Sequence, residues 1–174
     1  RRKRDGSGAH VQVAQFEALV QLLGDLFIKE SLAPGTVHPQ GNSSERGVPW
    51  GVYPCAGEDE WCVINVRSDA EWQALRVAMG APDWMSAPQY DTADGRRQAS
   101  ENIDEALAAW TLTRAPAEVM TLLQSYGVPA AVVAHAVHQI NDPHLTERGF
   151  FQRIDQLGLG PVILEGPGFR ASGM

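Results

Sequence analysis

The segment at residues 41–47 (GNSSERG), here called the polar loop, holds the residue types that could bind an anionic ligand. Its side chains are small or polar, include one arginine, and are bracketed by glycines. Backbone N–H groups of such a loop can donate to a carboxylate or thioester oxygen, and the loop could close over its ligand. The candidate contacts are Gly41, Asn42, Ser43, Arg46 and Gly47. The same composition also fits a plain mobile connector, with Arg46 in solvent.

Histidines and acids give weaker signals for metal or acid–base chemistry. His135 and His138 are three residues apart and would share a helix face, but no HExxH or similar ligand spacing accompanies them. Asp142 and His144 could form an acid–base pair, although Asp142 before a proline equally fits a helix N-cap. We therefore expect structural or solvated histidines and no metal site.

The two cysteines, Cys55 and Cys62, lie on the two strands of a predicted hairpin. Burial as small hydrophobic side chains is the simplest interpretation, and a disulfide and a metal pair remain open. The sequence has no GxSxG, P-loop or GxGxxG motif, and Gly6-x-Gly8 alone is too short to indicate phosphate binding. The residue types therefore assign no catalytic residue to this chain.

Composition limits the classes of function. The chain has 174 residues, 44% of them hydrophobic, and a formal net charge of −7. The hydrophobic share supports a buried core, and the acidic balance argues against nucleic-acid binding. With no signal peptide and no long apolar run, we expect a soluble, cytoplasmic protein without membrane contact. Because the sequence starts without Met, we also expect a piece of a longer protein.

A β-hairpin is the first element expected to position the polar loop. Strands at 48–55 and 61–66 are rich in β-branched and aromatic residues, and a glycine-containing turn at 57–60 joins them. Pro49 and Pro54 cannot donate to a strand ladder, which indicates either an edge position for the first strand or that the prolines mark its ends. The polar loop would therefore hang from a rigid hairpin.

Helices are predicted from periodicity and capping residues. The helix at 14–32 is apolar on nearly all sides, so a partner domain or subunit would have to cover it. Ser68 and Glu71 form a capping box for a helix that ends at Met79. Further helices are predicted at 100–111, 116–126 and 144–148, further strands at 10–13, 128–133, 150–154 and 161–164, and a loop at 81–90. Strand pairs and helices in separate runs predict an α+β fold.

Six segments follow one another in a recognisable order. They are GSGAHVQV at 6–13, GVYPC at 51–55 with Trp61, PQYDT at 88–92 with Arg96 or Arg97, GVPA at 127–130, DPHL at 142–145 with RGFF at 148–151, and GPGFRASG at 166–173. Their order resembles the family III CoA-transferases, the CaiB/BaiF group that includes formyl-CoA transferase, carnitine CoA-transferase and α-methylacyl-CoA racemase. The likeness spans nearly the whole chain.

The resemblance implies a fold and a domain organisation. Family members join a Rossmann-like α/β large domain to a small α+β domain, and two subunits thread through each other as interlocked rings. By this likeness, residues 1–47 belong to the large domain and linker, 48–140 form the small α+β domain, and 141–174 return toward the large domain. In such a homodimer, the second subunit would cover the apolar helix predicted at 14–32.

The resemblance also implies the chemistry. Transferases of the family move CoA between carboxylic acids through an aspartyl anhydride and an aspartyl-CoA thioester, with the aspartate as nucleophile. That aspartate belongs to the N-terminal part of family members, upstream of this sequence, so no catalytic residue is assigned here. The substrates would be an acyl-CoA and a carboxylic acid, with no covalently bound cofactor. An acyl-CoA racemase and a non-catalytic half that needs a partner chain remain the alternatives.

Two departures from the family pattern bear on the substrate. Formyl-CoA transferase has tandem glycines in its lid loop, which residues 42–46 mostly replace here, and this argues against a formyl or oxalate substrate. Gln12 stands where the family usually has an acidic residue. In the family, the polar loop would help to cover the acyl-CoA site, with Arg46 as a carboxylate contact.

Overall fold

The structure, a computed structural model, describes residues 2–10 and 12–169. The chain divides into two compact units, the first ending at Gly41 and the second starting at Asn42. The predicted strand at 10–13 and the last motif at 166–173 fall partly outside the described residues. The described part of 10–13 forms no strand.

Short helices build the first unit. They are α1 (Arg2–Asp5), α2 (Gln15–Leu22) and α3 (Gly24–Leu32). The single helix predicted at 14–32 is wrong, because the backbone leaves helical geometry at Leu23 (φ −104°, ψ 21°). No residue of α2 or α3 is buried, and Phe16, Leu22 and Leu32 are each at least 75% exposed. Among the described residues, the apolar side chains of these helices are therefore exposed.

A three-stranded antiparallel sheet organises the second unit. Its strands are β1 (Trp50–Pro54), β2 (Trp61–Asn65) and β3 (Ala130–Val132), in the order β1-β2-β3. Cys62 lies opposite Tyr53 on one side and Val132 on the other. The predicted hairpin and the edge position of its first strand are confirmed, and β3 is shorter than the strand predicted at 128–133.

Helices cover one face of this sheet and complete the core. They are α4 (Asp69–Ala78), α5 (Ala93–Gln98), α6 (Ser100–Thr111) and α7 (Pro116–Ser125). Apolar residues three or four apart on α4, α6 and α7 face inward, which is why these segments fold as helices against the sheet. The buried apolar side chains are Tyr53, Cys55, Cys62, Ile64, Val66, Trp72, Leu75, Met85, Tyr90, Ile103, Leu107, Val119, Leu123, Val128 and Ala130.

The start of α4 follows its predicted cap with one difference. Ser68 Oγ accepts the backbone N–H of Glu71 (3.2 Å), as expected. The carboxylate of Glu71 accepts the backbone N–H of Arg67 (2.6 Å). In a complete capping box it would accept the backbone N–H of Ser68 instead. After α4, the predicted loop at 81–90 contains two 3-10 turns, Asp83–Ser86 and Pro88–Asp91.

Two short helices and a second sheet occupy the remaining described residues. They are α8 (Ala136–Ile140), α9 (Pro143–Glu147) and an antiparallel hairpin of β4 (Phe151–Gln156) and β5 (Gly160–Glu165). Asp142 Oδ1 accepts the N–H of Leu145 (2.8 Å), which confirms the predicted N-cap. Separate runs of antiparallel strands and helices confirm the α+β prediction. The Rossmann-like flanking pieces, the domain boundaries and the interlocked dimer stay predictions.

Candidate functional site

The polar loop is fixed at Asn42. The side-chain Nδ2 of Asn42 donates to the carbonyl of Val52 (2.9 Å), and its Oδ1 accepts the N–H of the same residue (3.1 Å). A Cβ at Gly51 would lie 2.6 Å from Cγ of Asn42, so the amide packs directly against the backbone of Gly51 and leaves no room for a side chain there. Gly41, with φ +56°, ends the first unit, and its part in a site stays a prediction.

The other end of the polar loop is held by close packing. Gly47 is buried, and a Cβ there would lie 2.0 Å from the carbonyl oxygen of Val66. The N–H of Val66 in turn donates to the carbonyl of Pro49 (2.8 Å). Glycine is therefore required at this position because the backbone passes against the residue after β2, and not because a hinge is needed.

Between these two ends the polar loop faces solvent. Ser44 Oγ accepts the backbone N–H of Arg46 (3.1 Å), so this N–H is not available to a ligand. Arg46 and Ser43 are exposed. Within residues 2–10 and 12–169, the guanidinium of Arg46 has no carboxylate partner. The loop thus presents the cation of Arg46 among small polar groups and beside the acidic Glu45, and the exposed guanidinium can pair with a carboxylate.

Arg96 secures the chain just after the polar loop. Only 2% of it is exposed, and its guanidinium donates to the carbonyls of Val48 (3.3 Å) and Tyr90 (2.8 Å) and to Asp69 Oδ1 (2.7 Å). Its Cζ also lies 5.4 Å from the centroid of the Trp72 ring. One planar side chain therefore joins the loop exit to the helical layer.

The neighbouring arginine has a different environment. Arg97 is 45% exposed at its side chain and pairs with Asp94 one helical turn earlier. The family likeness could not decide between the two arginines, because α5 is too short and too polar for a clear inward face. The structure assigns the buried position to Arg96.

A partly buried polar pair links β1 to α6. Tyr53 Oη donates to Asp104 Oδ1 at 2.5 Å. Burial raises the pKa of the Asp104 carboxyl above its ordinary value, and the bond from Tyr53 partly opposes that rise. Burial, followed by the bond to Asp104, raises the pKa of Tyr53, which keeps the phenol protonated. Sequence analysis missed this pair because its members lie 51 residues apart.

Asp104→Asn should change how stability depends on pH. Because the folded state raises this pKa, it binds more protons than the unfolded chain just above the ordinary value, and the free energy of unfolding falls as pH rises there. Asparagine still accepts the bond from Tyr53 but does not ionise. We expect the variant to be at least as stable as wild type at pH 7. Its free energy of unfolding relative to wild type should fall as the pH falls toward about 4.

Urea unfolding of the full-length protein between these pH values measures the effect. Glu105→Gln, at an exposed position next to Asp104 on α6, is the matched control and should show no comparable trend. A stability difference between wild type and Asp104→Asn that stays constant with pH would contradict the assignment.

His135, His138 and the two cysteines have structural surroundings. His135 Nε2 lies 2.8 Å from the carbonyl of Asp59, and its ring contacts that of His138 edge to face at 5.3 Å. Cys55 and Cys62 are buried free thiols, as expected, and burial raises the pKa of both. In the described part of the chain, no group of three or more His, Cys, Asp or Glu residues is placed to hold a metal ion.

Comparison with known protein families assigns the chain to one of them. The sequence profile of CoA-transferase family III matches residues 1–173. This chain belongs to CoA-transferase family III. The resemblance inferred from the ordered motifs is therefore confirmed.

Curated members of CoA-transferase family III align with most of the chain. A protein of Mycobacterium tuberculosis, named as a probable CoA-transferase, is 35% identical over 87% of this chain and 19% of its own length. The succinyl-CoA–D-citramalate CoA-transferase of Chloroflexus aurantiacus is 27% identical over 94% of this chain and 40% of its own length. The succinyl-CoA:mesaconate CoA-transferase of Haloarcula marismortui is 31% identical over 90% of this chain and 38% of its own length. The chain thus spans at most 40% of the length of these relatives.

Solved structures show the same fold. A CaiB/BaiF family protein from Brucella suis has a TM-score of 0.79 at 20% identity, covering 98% of this chain and 43% of that protein. The orthorhombic form of Rv3272 from Mycobacterium tuberculosis has a TM-score of 0.70 at 18% identity, covering 99% of this chain and 44% of that protein.

Among the described residues, none of the helices has the length and apolar character needed to cross a membrane.

Proposed function

We propose that the protein containing this chain transfers CoA from an acyl-CoA to a carboxylic acid. The observation that carries the proposal is the match to CoA-transferase family III over residues 1–173. Relatives named for succinyl-CoA support an acyl group that bears a second carboxylate. The exposed guanidinium of Arg46 supports the same choice, because arginine can bind a carboxylate through paired hydrogen bonds.

The proposed reaction uses an aspartate outside residues 1–174 as its nucleophile. Its carboxylate attacks the thioester carbonyl, which forms an acyl-aspartyl anhydride and releases CoA as a thiolate. The thiolate then attacks the aspartyl carbonyl, which gives aspartyl-CoA and releases the donor acid. The acceptor acid runs the same two steps in reverse. In this proposal the chain covers the acyl-CoA with the polar loop and holds the distal carboxylate on Arg46.

Two further parts of the proposal concern the protein as a whole. A homodimer is supported by the apolar side chains that α2 and α3 leave exposed. The proposal also keeps the cytoplasmic location expected from the sequence and the lack of a covalently bound cofactor implied by the family likeness.

CoA transfer is tested with the full-length protein, succinyl-CoA and a set of carboxylic acids that includes mesaconate and D-citramalate. We expect a new CoA thioester to form, detected by chromatography with mass spectrometry. Solvent deuterium incorporated at the α-carbon of a 2-methylacyl-CoA, with no new thioester, would instead show a racemase. No reaction in either assay would favour a non-catalytic half.

Arg46→Gln tests the carboxylate contact within the same assay. We expect the KM for succinyl-CoA to rise about tenfold and kcat to stay within about threefold, because a charged hydrogen bond to the substrate is lost. Butyryl-CoA, which lacks the distal carboxylate, should show little change. Arg153→Gln, at an exposed position on β4, is the matched control. Equal losses with both thioesters would contradict a contact to the distal carboxylate.

A further inference from the structure

The edge of β1 is occupied by a side chain in place of another strand. In the sheet, Val52 lies opposite Val63, and the N–H and C=O of Val52 are bonded to Asn42 on the open side. A carboxamide has one donor face and one acceptor face, like a peptide group, so it can replace the backbone of a neighbouring strand at one position. Asn42 therefore acts as a one-residue partner of β1.

The fit of this amide depends on the residue beside Val52. Gly51 is buried, and any Cβ there would meet three atoms of the Asn42 side chain, the nearest at 2.6 Å. An alanine at this position would displace the amide while leaving Asn42 itself intact. The structure thus offers two independent ways to break one contact.

The polar loop is consequently held at both ends. Asn42 fixes its start to β1, and the packing of Gly47 against Val66 fixes its exit beside the end of β2. The Nδ2 and Oδ1 atoms of Asn42 that face Val52 are both already hydrogen-bonded to its backbone. Arg46 lies between the two fixed ends, so its backbone position depends on them.

We propose that Asn42 is a positioning residue: through its paired bonds to Val52 it fixes the polar loop on β1 and places Arg46 for the acyl-CoA, without binding the substrate itself. This inference rests on the proposed function. It assigns to Asn42 an indirect role, whereas a ligand contact was expected from the sequence. It also explains why β1 has glycine at position 51.

The contact itself is tested without substrate. Amide hydrogen exchange at Val52 should become about tenfold faster in Asn42→Ala and in Gly51→Ala of the full-length protein, because the bond to Oδ1 is lost. Asn141→Ala, an exposed asparagine in the segment between α8 and α9, is the matched control and should leave the exchange unchanged. Unchanged exchange in both variants would overturn the anchor and the proposal with it.

The positioning role is tested by a double-mutant cycle with Arg46→Gln. Asn42→Ala should raise the KM for succinyl-CoA about tenfold with kcat within about threefold, and this rise should vanish when Arg46 is already glutamine. If the increases in KM of the two single variants multiply in the double variant, Asn42 contacts the substrate directly, and the proposal is overturned. Faster exchange at Val52 with unchanged KM would overturn it as well.

These outcomes separate this inference from the proposed function. A wild-type protein without CoA transfer would overturn the proposed function and, with it, the role of Asn42 toward substrate. The exchange rate at Val52 would still report whether the anchor exists. A transferase whose KM responds to Arg46→Gln but not to Asn42→Ala would keep the proposed function and reject this inference alone.

Discussion

Arg96→Lys should lower the free energy of unfolding by about 3 kcal/mol, whereas Arg97→Lys should change it by less than about 0.5 kcal/mol. Lysine carries one compact ammonium and cannot reach the carbonyls of Val48 and Tyr90 together with Asp69, as the planar guanidinium of Arg96 does. A buried carbonyl left without its partner costs about 1–3 kcal/mol.

The ion pair itself contributes little to this effect. Arg96 is buried, but its partner Asp69 has 65% of its side chain exposed, so water screens the attraction between the two charges. The loss should therefore come mainly from the two carbonyls and the contact with the Trp72 ring. Asp69→Asn, which keeps a neutral acceptor, should cost less than about 1 kcal/mol.

Chemical denaturation of the full-length protein with Arg96→Lys, Arg97→Lys and wild type compares the two neighbours directly. The two arginines differ by one sequence position and undergo the same change, so helix propensity and net charge are matched. Equal losses for both variants would contradict the assignment of Arg96 to the buried position.

Gly47→Ala should destabilise the second unit by about 3 kcal/mol. The added Cβ would lie 2.0 Å from the carbonyl oxygen of Val66, which belongs to the backbone and cannot turn aside as a flexible side chain could. The chain between the polar loop and β1 would have to move, and this would strain the bonds that Val66 and Arg96 make there.

Thermal unfolding of the full-length protein measures this loss. Gly168→Ala is the matched control, because a Cβ there meets nothing within 4 Å and its backbone needs no positive φ. We expect that variant to stay within about 1 kcal/mol of wild type. A Gly47→Ala protein as stable as the control would mean that the loop exit is free to move, as a hinge would be.

Local signals in the sequence were sufficient for much of the fold. The hairpin followed from β-branched residues around a glycine turn, and the N-caps followed from Ser68 and Asp142, since these effects act within a few residues. The helix at 14–32 was predicted as one because apolar residues recur on both sides of Leu23, although Gly24 beside it is a residue type that weakens a helix. Periodicity specifies a tendency to form helix, and here it does not specify where the helix is interrupted.

The sequence predicted which segment forms the candidate site, but not how that segment is held in place. Residue types identified the polar loop, and its small side chains suggested mobility. Its anchors depend on contacts that no local pattern reveals: Asn42 bonds to a strand ten residues later, and Gly47 packs against Val66. Arg96 was one of two equal candidates for the same reason, because its partners come from three separate parts of the chain.

The amide of Asn42 also affects how copies of the chain could associate. A strand at a sheet edge normally offers its unpaired backbone groups to a strand from another molecule, which is a common route to aggregation. On β1, Val52 is already bonded to Asn42, and Pro54, two residues further along the same edge, has no N–H to offer. On the opposite side, Gln124 on α7 donates its amide to the carbonyl of Ala130 in β3 (2.8 Å). Side-chain amides thus occupy edge backbone groups at both margins of this small sheet, which leaves fewer of those groups for an added strand.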